Sequence, residues 1–265
     1  MDTEQLNFEK LVNELSNSLA GNLFETVRIL SSITETTEKY YDGGHSRFVS
    51  DKSALIAEQL GMNDEDIMEV KIAALLHDIG KIGFPETLLF KYPFEMSQQE
   101  YLNYIKHAEF GFNILRQAKL FSTIAEIVFQ HHEKIDGSGF PRHLQREHIH
   151  PAAKIIIVVD YYHNQMYKLK RPRTESSVSY TSTLSMIESS KEKFASTMNY
   201  LHKKKKILFE EKVVDIFTDI IETERRMMGT KSVMRLAVNA IEPGMIFAED
   251  YYTSFGMLIA AKGET

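Results

Sequence analysis

Apolar residues recur at three- and four-residue spacing along most of the chain, the period of an amphipathic helix. In FEKLVNELSNSLA, Phe8, Leu11, Val12, Leu15 and Leu19 share one face and predict a first helix over 6–19. A second is expected from Leu23 to Tyr40, and a third after Gly43-Gly44 through HSRFVSDKSALIAEQL, ended by Gly61. Asn63 is the expected cap of the next, with Glu65 and Asp66 in its first turn and Ile67, Val70, Ala74 and Leu75 at its apolar positions. That helix delivers an adjacent His77-Asp78. Further helices are predicted at 97–117, 121–132, 151–168, 175–194 and 206–227.

The pattern breaks twice. DGSGFPRHLQREHIHP (136–151) has two glycines, two prolines and no period, so an ordered connector is expected. After a linker near RRMMGTKS the texture turns β-rich, with turn signals at Glu242-Pro243-Gly244 and Phe255-Gly256. The expected organisation is N-terminal helices over 1–40, a large all-α bundle over 41–228, and a small β appendage over 229–265 that reads as truncated.

Composition narrows the class. The chain has 265 residues, 43% hydrophobic and 26% charged, as for one folded domain with a smaller appendage. No run approaches the length of a membrane span, and MDTEQLNFEK lacks the basic and apolar regions of a secretory signal, so a cytoplasmic protein is expected. With no cysteine, disulfides and thiolate metal sites are excluded, and any metal must be held by histidine, carboxylate or water. The net charge of −6 argues against a broad nucleic-acid surface, and the basic run HKKKK at 202–206 reads as a solvated helix face.

Ten histidines are present, and two adjacent pairs, His77-Asp78 and His131-His132, interrupt otherwise apolar helices. Burying such groups without partners is costly, and a metal ion removes that cost. Imidazole and carboxylate together suit iron, manganese or zinc, and a carboxylate can bridge two ions. Two metals about 3.5–4 Å apart can activate a water, neutralise a phosphate and stabilise the leaving oxygen. Asp160 closes the apolar run AAKIIIVVD, where a charge is expected to face a site.

His45 in GGHSR, His77-Asp78-x-Gly-Lys81, His107 in IKHAEFG, HHEKIDGSGFP and Asp160 in IIIVVD together resemble, in order, the HD-GYP proteins. These are a branch of the HD-domain metallophosphohydrolases, and the match runs over about residues 40–175. The resemblance implies an all-α HD core over 41–228 that hydrolyses cyclic di-GMP to pGpG or GMP. His45, His77, Asp78, His107, His131, His132 and Asp160 match the family's metal ligands, Asp78 as the bridging carboxylate, and Lys81 matches the lysine that contacts a substrate phosphate. Two divalent ions, iron or manganese before zinc, are implied, with a water bridging them as nucleophile. The loop Gly139-Phe140-Pro141 would meet substrate and diguanylate cyclase (GGDEF) partners. The first helix (6–19) would serve as a packing or dimerisation surface.

Three departures stand out. Phe140 replaces the family's tyrosine; if that hydroxyl contacts a phosphate, its loss costs about 1–3 kcal/mol. Tyr41 fills the slot of a glutamate that holds a third metal in some members, so a two-metal site is expected, with Asp42 as an outside candidate ligand. After Asp160 the chain reads YYHNQMYKLKRPRTE, with His163 for a second aspartate and Arg171 as the expected phosphate contact. His143, His148 and His150 are expected to be surface loop histidines. The phosphodiesterase reading therefore stands beside two others: a cyclic-dinucleotide sensor with little turnover, and a hydrolase of another phosphorylated substrate.

Overall fold

A computed structural model describes residues 25–35, 41, 44–168, 183–228, 251–252 and 258–260. The predicted helix over 6–19, Asp42, Arg171 and most of the predicted β appendage lie outside the described residues. The chain divides into two compact units, Met1–Thr218 and Asp219–Thr265.

The first unit is helical. Helix α1 covers 25–35; α2 is His45–Gln59, α3 Asp64–Leu76, α4 Glu86–Leu89, α5 Gln98–Tyr104, α6 Lys106–Leu115, α7 Ser122–Gln130, α8 Pro151–Tyr167 and α9 Thr183–Lys204, with α10 opening at Glu211. The side chain of Asn63 accepts from the Asp66 amide, and three acidic residues occupy the first turn of α3, where the positive end of the helix dipole favours them. Ser97 and Glu100 form a reciprocal capping box at the start of α5. Helix α8 is buried on nearly all sides, through Ile155, Ile156, Val158 and Val159, and is therefore central. Helices α2 and α3 pack against it and each other, α7 packs on α3, and α6 on α7. Val49, Ile56, Val70, Leu76 and Ile127 fill the space between them. Each such side chain stabilises the fold by about 1.5–3 kcal/mol through removal from water.

The second unit holds the end of α10, which runs to Met228, and an antiparallel pair, β1 (Tyr251–Tyr252) with β2 (Leu258–Ala260). Among the described residues these are the strands.

Several predicted boundaries move. The expected helix over 97–117 is two, α5 and α6, because the chain turns at Ile105 to aim His107 inward. The apolar rhythm runs through that break and hides it. The helix expected at 175–194 is described as Thr183–Lys204, and the basic run forms its last turn, where cations oppose the negative end of the helix. Lys205 and Lys206 beyond it pair with Asp215 at 2.7 Å and Glu211 at 3.0 Å. No described helix is long and apolar enough to cross a membrane.

Candidate metal centre

Three of the site histidines stand at helix ends, and the reason is local. A helix leaves the carbonyls of its last turn without intrahelical partners. His77 follows α3, His131 follows α7, and His107 is the second residue of α6, three past the end of α5. Each donates its Nδ1 proton to the carbonyl three residues back: His77 to Ala74 at 2.8 Å, His107 to Tyr104 at 2.6 Å, His131 to Val128 at 2.5 Å. A carbonyl only accepts, so Nδ1 carries the proton and Nε2 is aimed at the interior. His45 arrives differently. Gly44, at φ 58°, takes a left-handed conformation open to glycine and starts α2 with His45 as its first residue.

The Nε2 atoms converge on Asp78. On one side, His45 and His77 lie 3.6 and 3.4 Å from Asp78 Oδ2 and 3.1 Å from each other. On the other, His107 and His131 lie 3.7 and 3.8 Å from Asp78 Oδ1, and His107 Nε2 is 3.3 Å from His131 and 3.0 Å from His132. Asp160 Oδ1 joins the first group, 3.4 Å from His45 and 3.6 Å from His77. Two sets of ligand-type atoms result, Asp78 with His45 and His77, and Asp78 with His107, His131 and His132, each with atoms within 4.8 Å of one another. Asp78 belongs to both.

These residues fit a pair of cations. Asp78 Oδ1 is buried and has no hydrogen-bond partner among the described residues, although an unsatisfied buried carboxylate oxygen is costly. Burial holds the pKa of His45 at about 4, of His107 at about 3 and of His131 at about 4, and pushes His132 well below its ordinary value. Those rings are neutral lone-pair donors near neutral pH, the state a metal needs. His77 goes the other way. Burial opposes its charge, but the Asp78 and Asp160 carboxylates outweigh it and raise its pKa to about 9, so positive charge is favoured between the two acids. Burial likewise works against Asp78, yet His77 and Lys81 hold its carboxyl well below the usual range. Lys81 donates to Asp78 Oδ2 at 2.5 Å from within the core.

The connector 136–151 is ordered by Glu133, whose buried carboxylate accepts from the amides of Arg142 at 2.6 Å and Leu144 at 3.0 Å. That folds Gly139-Phe140-Pro141 back over the site: the Phe140 amide donates to the His132 carbonyl at 3.3 Å, and its ring lies 4.6 Å from the His132 ring. Gly139 sits so close to the main chain of Glu133 that a Cβ would fall 2.5 Å from its Cα. His143 and His148 are exposed, as expected of loop histidines, but His150 is half-buried and caps α8, accepting from the Ala152 amide at 3.2 Å. His163, placed by sequence one turn past Asp160, puts its Nδ1 3.0 Å from His45 Nδ1. Asn164 and Lys168 also line this region and belong to none of the sequence motifs. The four-residue spacing from Asp160 places Asn164 on the same face of α8 and was the available signal.

Lys168 ends α8 in a buried position, where its ammonium donates to the Lys91 carbonyl at 2.8 Å and lies over the Tyr92 ring. Burial, and then the Lys81 charge, lower its pKa to about 7 from 10.5. Between those values the unfolded chain binds a proton that the folded chain does not, so this lysine makes stability rise with pH across that window. Lys168→Met is expected to reduce the rise in melting temperature from pH 7 to about pH 9.5. The reduction should be at least roughly 2–4 °C, the shift about 1 kcal/mol produces in a chain of this size. An unchanged slope would exclude Lys168 as its source.

Comparison with known proteins agrees with this geometry. The family described as HD domain matches residues 28–198, more than half of the chain. A cyclic di-GMP phosphodiesterase of Thermotoga maritima is 34% identical over 174 residues, covering 63% of this chain and 47% of its own length. The cyclic di-GMP phosphodiesterase response regulator RpfG of Xanthomonas campestris is 35% identical, covering 51% of this chain and 40% of its own. A 3′3′-cGAMP-specific phosphodiesterase of Vibrio cholerae is 38% identical, covering 46% and 26%. The chain thus spans less than half the length of these curated relatives. Among solved structures, a HDG"Y"P protein from Bdellovibrio bacteriovorus superposes with a TM-score of 0.53 at 22% identity, over 67% of this chain and 51% of that one. A cyclic GMP-AMP specific phosphodiesterase of V. cholerae gives 0.52 at 15%, over 78% and 51%. At these identities the structural likeness speaks for the fold.

Proposed function

Because this chain belongs to the HD-domain family, in its HD-GYP-like branch, we propose that it is a metal-dependent phosphodiesterase cleaving cyclic di-GMP to pGpG or GMP. The observation that carries this reading is the division of Asp78: one carboxylate oxygen faces His45 and His77, the other His107 and His131. His45, His77, His107, His131, His132, Asp78 and Asp160 would hold two divalent ions, iron or manganese before zinc. Such ions would supply Lewis acidity to an attacking water and to the leaving oxygen. Lys81, whose ammonium is a compact point charge held against Asp78, would contact the scissile phosphate. Phe140 offers an aromatic surface beside His132 without a hydroxyl, and Gly139, Pro141 and Arg171 complete the proposed substrate contacts. In this reading the hydrolase occupies 41–228, between N-terminal helices over 1–40 and the appendage over 229–265.

A second reading, a cyclic-dinucleotide sensor with little turnover, is favoured by the missing hydroxyl at Phe140 and by His163 in place of an aspartate. One experiment separates them. The purified protein, loaded anaerobically with Mn²⁺ or Fe²⁺, is given cyclic di-GMP and 3′3′-cGAMP, the two substrates named for its relatives. Linear products support the enzyme, and tight binding without product supports the sensor. Uptake of neither metal nor nucleotide by folded protein defeats both.

Phe140→Tyr is expected to raise kcat/KM by about 5- to 150-fold, the gain from one restored hydrogen bond to a charged phosphate. Steady-state kinetics on the two proteins check this, and equal values would mean the hydroxyl has no partner in this site.

A further inference from the structure

We infer that Tyr41 is a positioning residue of the metal centre, acting on it through Asn164 and His45; the inference rests on the proposal that the site holds two divalent ions. The phenol of Tyr41 donates to Asn164 Oδ1 at 2.6 Å. The carboxylate and carbonyl of Asp160 only accept and so decide which way the amide faces, and the phenol proton holds its carbonyl end in that place. Asn164 Nδ2 is thereby turned to Asp160, donating to Oδ1 at 2.6 Å and to the main-chain carbonyl at 3.0 Å. Asp160 Oδ1 is the same atom that faces His45 Nε2 and His77 Nε2. Rotating the amide would set carbonyl against carboxylate and displace that oxygen from the site.

The ring of Tyr41 makes the second contact. It stacks on the His45 imidazole with centroids 3.8 Å apart and planes at 15°. His45 has no helix-end carbonyl to fix its rotation, and its Nδ1 faces His163 instead. The stacked phenol and His163 together set the plane in which Nε2 points. Tyr41 is itself held firmly, clustered with Leu89 and Phe90 and bridged through its backbone to Lys168. One side chain thus orients two ligands of the same half of the centre, an arrangement that neighbours of metal ligands commonly provide at 10- to 100-fold in affinity.

Tyr41→Phe keeps the stack and removes the donor. It is expected to weaken one of the two Mn²⁺ sites at least about 10-fold while the other, on His107, His131 and His132, is unchanged, as read by calorimetric titration. At limiting metal, the electron paramagnetic resonance spectrum should shift from a coupled pair toward an isolated ion. Asn164→Ala should give a similar loss. The double variant should lose no more than Asn164→Ala alone, because the two groups act in one chain. Thermal melts confirm that each variant is folded. Wild-type affinity for both ions in Tyr41→Phe, or losses that add in the double variant, would overturn the inference. A folded wild type that takes up no metal would instead remove the parent reading, and this one with it.

Discussion

Asp78→Ala is expected to lower phosphodiester hydrolysis by at least about 10³-fold, since about 4 kcal/mol of transition-state stabilisation is what a bound cation pair ordinarily supplies. The size follows from geometry. Removing any one histidine takes a single ligand from one half of the centre, whereas removing Asp78 takes an oxygen from each. Metal content measured on the purified variant should fall with activity. A second consequence accompanies the first. Lys81 loses the carboxylate it donates to at 2.5 Å, within a site where both groups are almost wholly buried. Breaking such a pair costs about 3–5 kcal/mol, so the variant should also melt earlier. Activity must therefore be compared per folded molecule at low temperature. An Asp78→Ala protein that retains two metals and a tenth of the wild-type rate would end the bridging role.

Gly80→Ala is expected to be the most destabilising single-methyl change in the site region, by at least about 3 kcal/mol. Gly80 lies in the short 3₁₀ turn Ile79–Lys81 that packs directly on α6. A Cβ there would overlap the His107 carbonyl and lie 2.5 Å from the Gly111 nitrogen. Both obstacles are main chain, so no side chain can rotate away; α6 itself must move. Because α6 carries His107, the damage should reach the metal site as well as the melting temperature, with a drop of roughly 6–12 °C. Denaturant midpoints with matched metal titrations measure both. A variant of wild-type stability would show that the two segments separate more easily than their contact implies.

What the sequence made legible was local chemistry. His77-Asp78, His131-His132 and Lys81 stand out because their spacing and their position inside apolar runs are visible along the chain. Asn63 as a cap is legible for the same reason. The break between α5 and α6 was not, since apolar residues keep their rhythm through Ile105 while the backbone turns. Tyr41 illustrates the other limit. Its residue type spoke against a third metal, but the partner of its hydroxyl, Asn164, is 123 positions away. His163 was seen to lie one turn past Asp160, yet its role depends on His45, 118 positions distant. Long-range pairs of this kind are set by how α2 packs on α8, and no periodicity encodes them.

The acceptors that orient His77, His107 and His131 are main-chain carbonyls of Ala74, Tyr104 and Val128, atoms that every amino acid supplies. Mutational drift at those three positions leaves the aim of the imidazoles intact as long as the helices form. Two ligands beside His77 are held otherwise: Asp160 is steered by an amide, and His45 by a phenol and an imidazole. Three imidazoles of the centre are thus hard-wired, while Asp160 and His45 are adjustable by single substitutions. In the proposed two-ion centre a change in metal preference during divergence would therefore be written at Tyr41, His163 and Asn164, while the histidines stayed as they are.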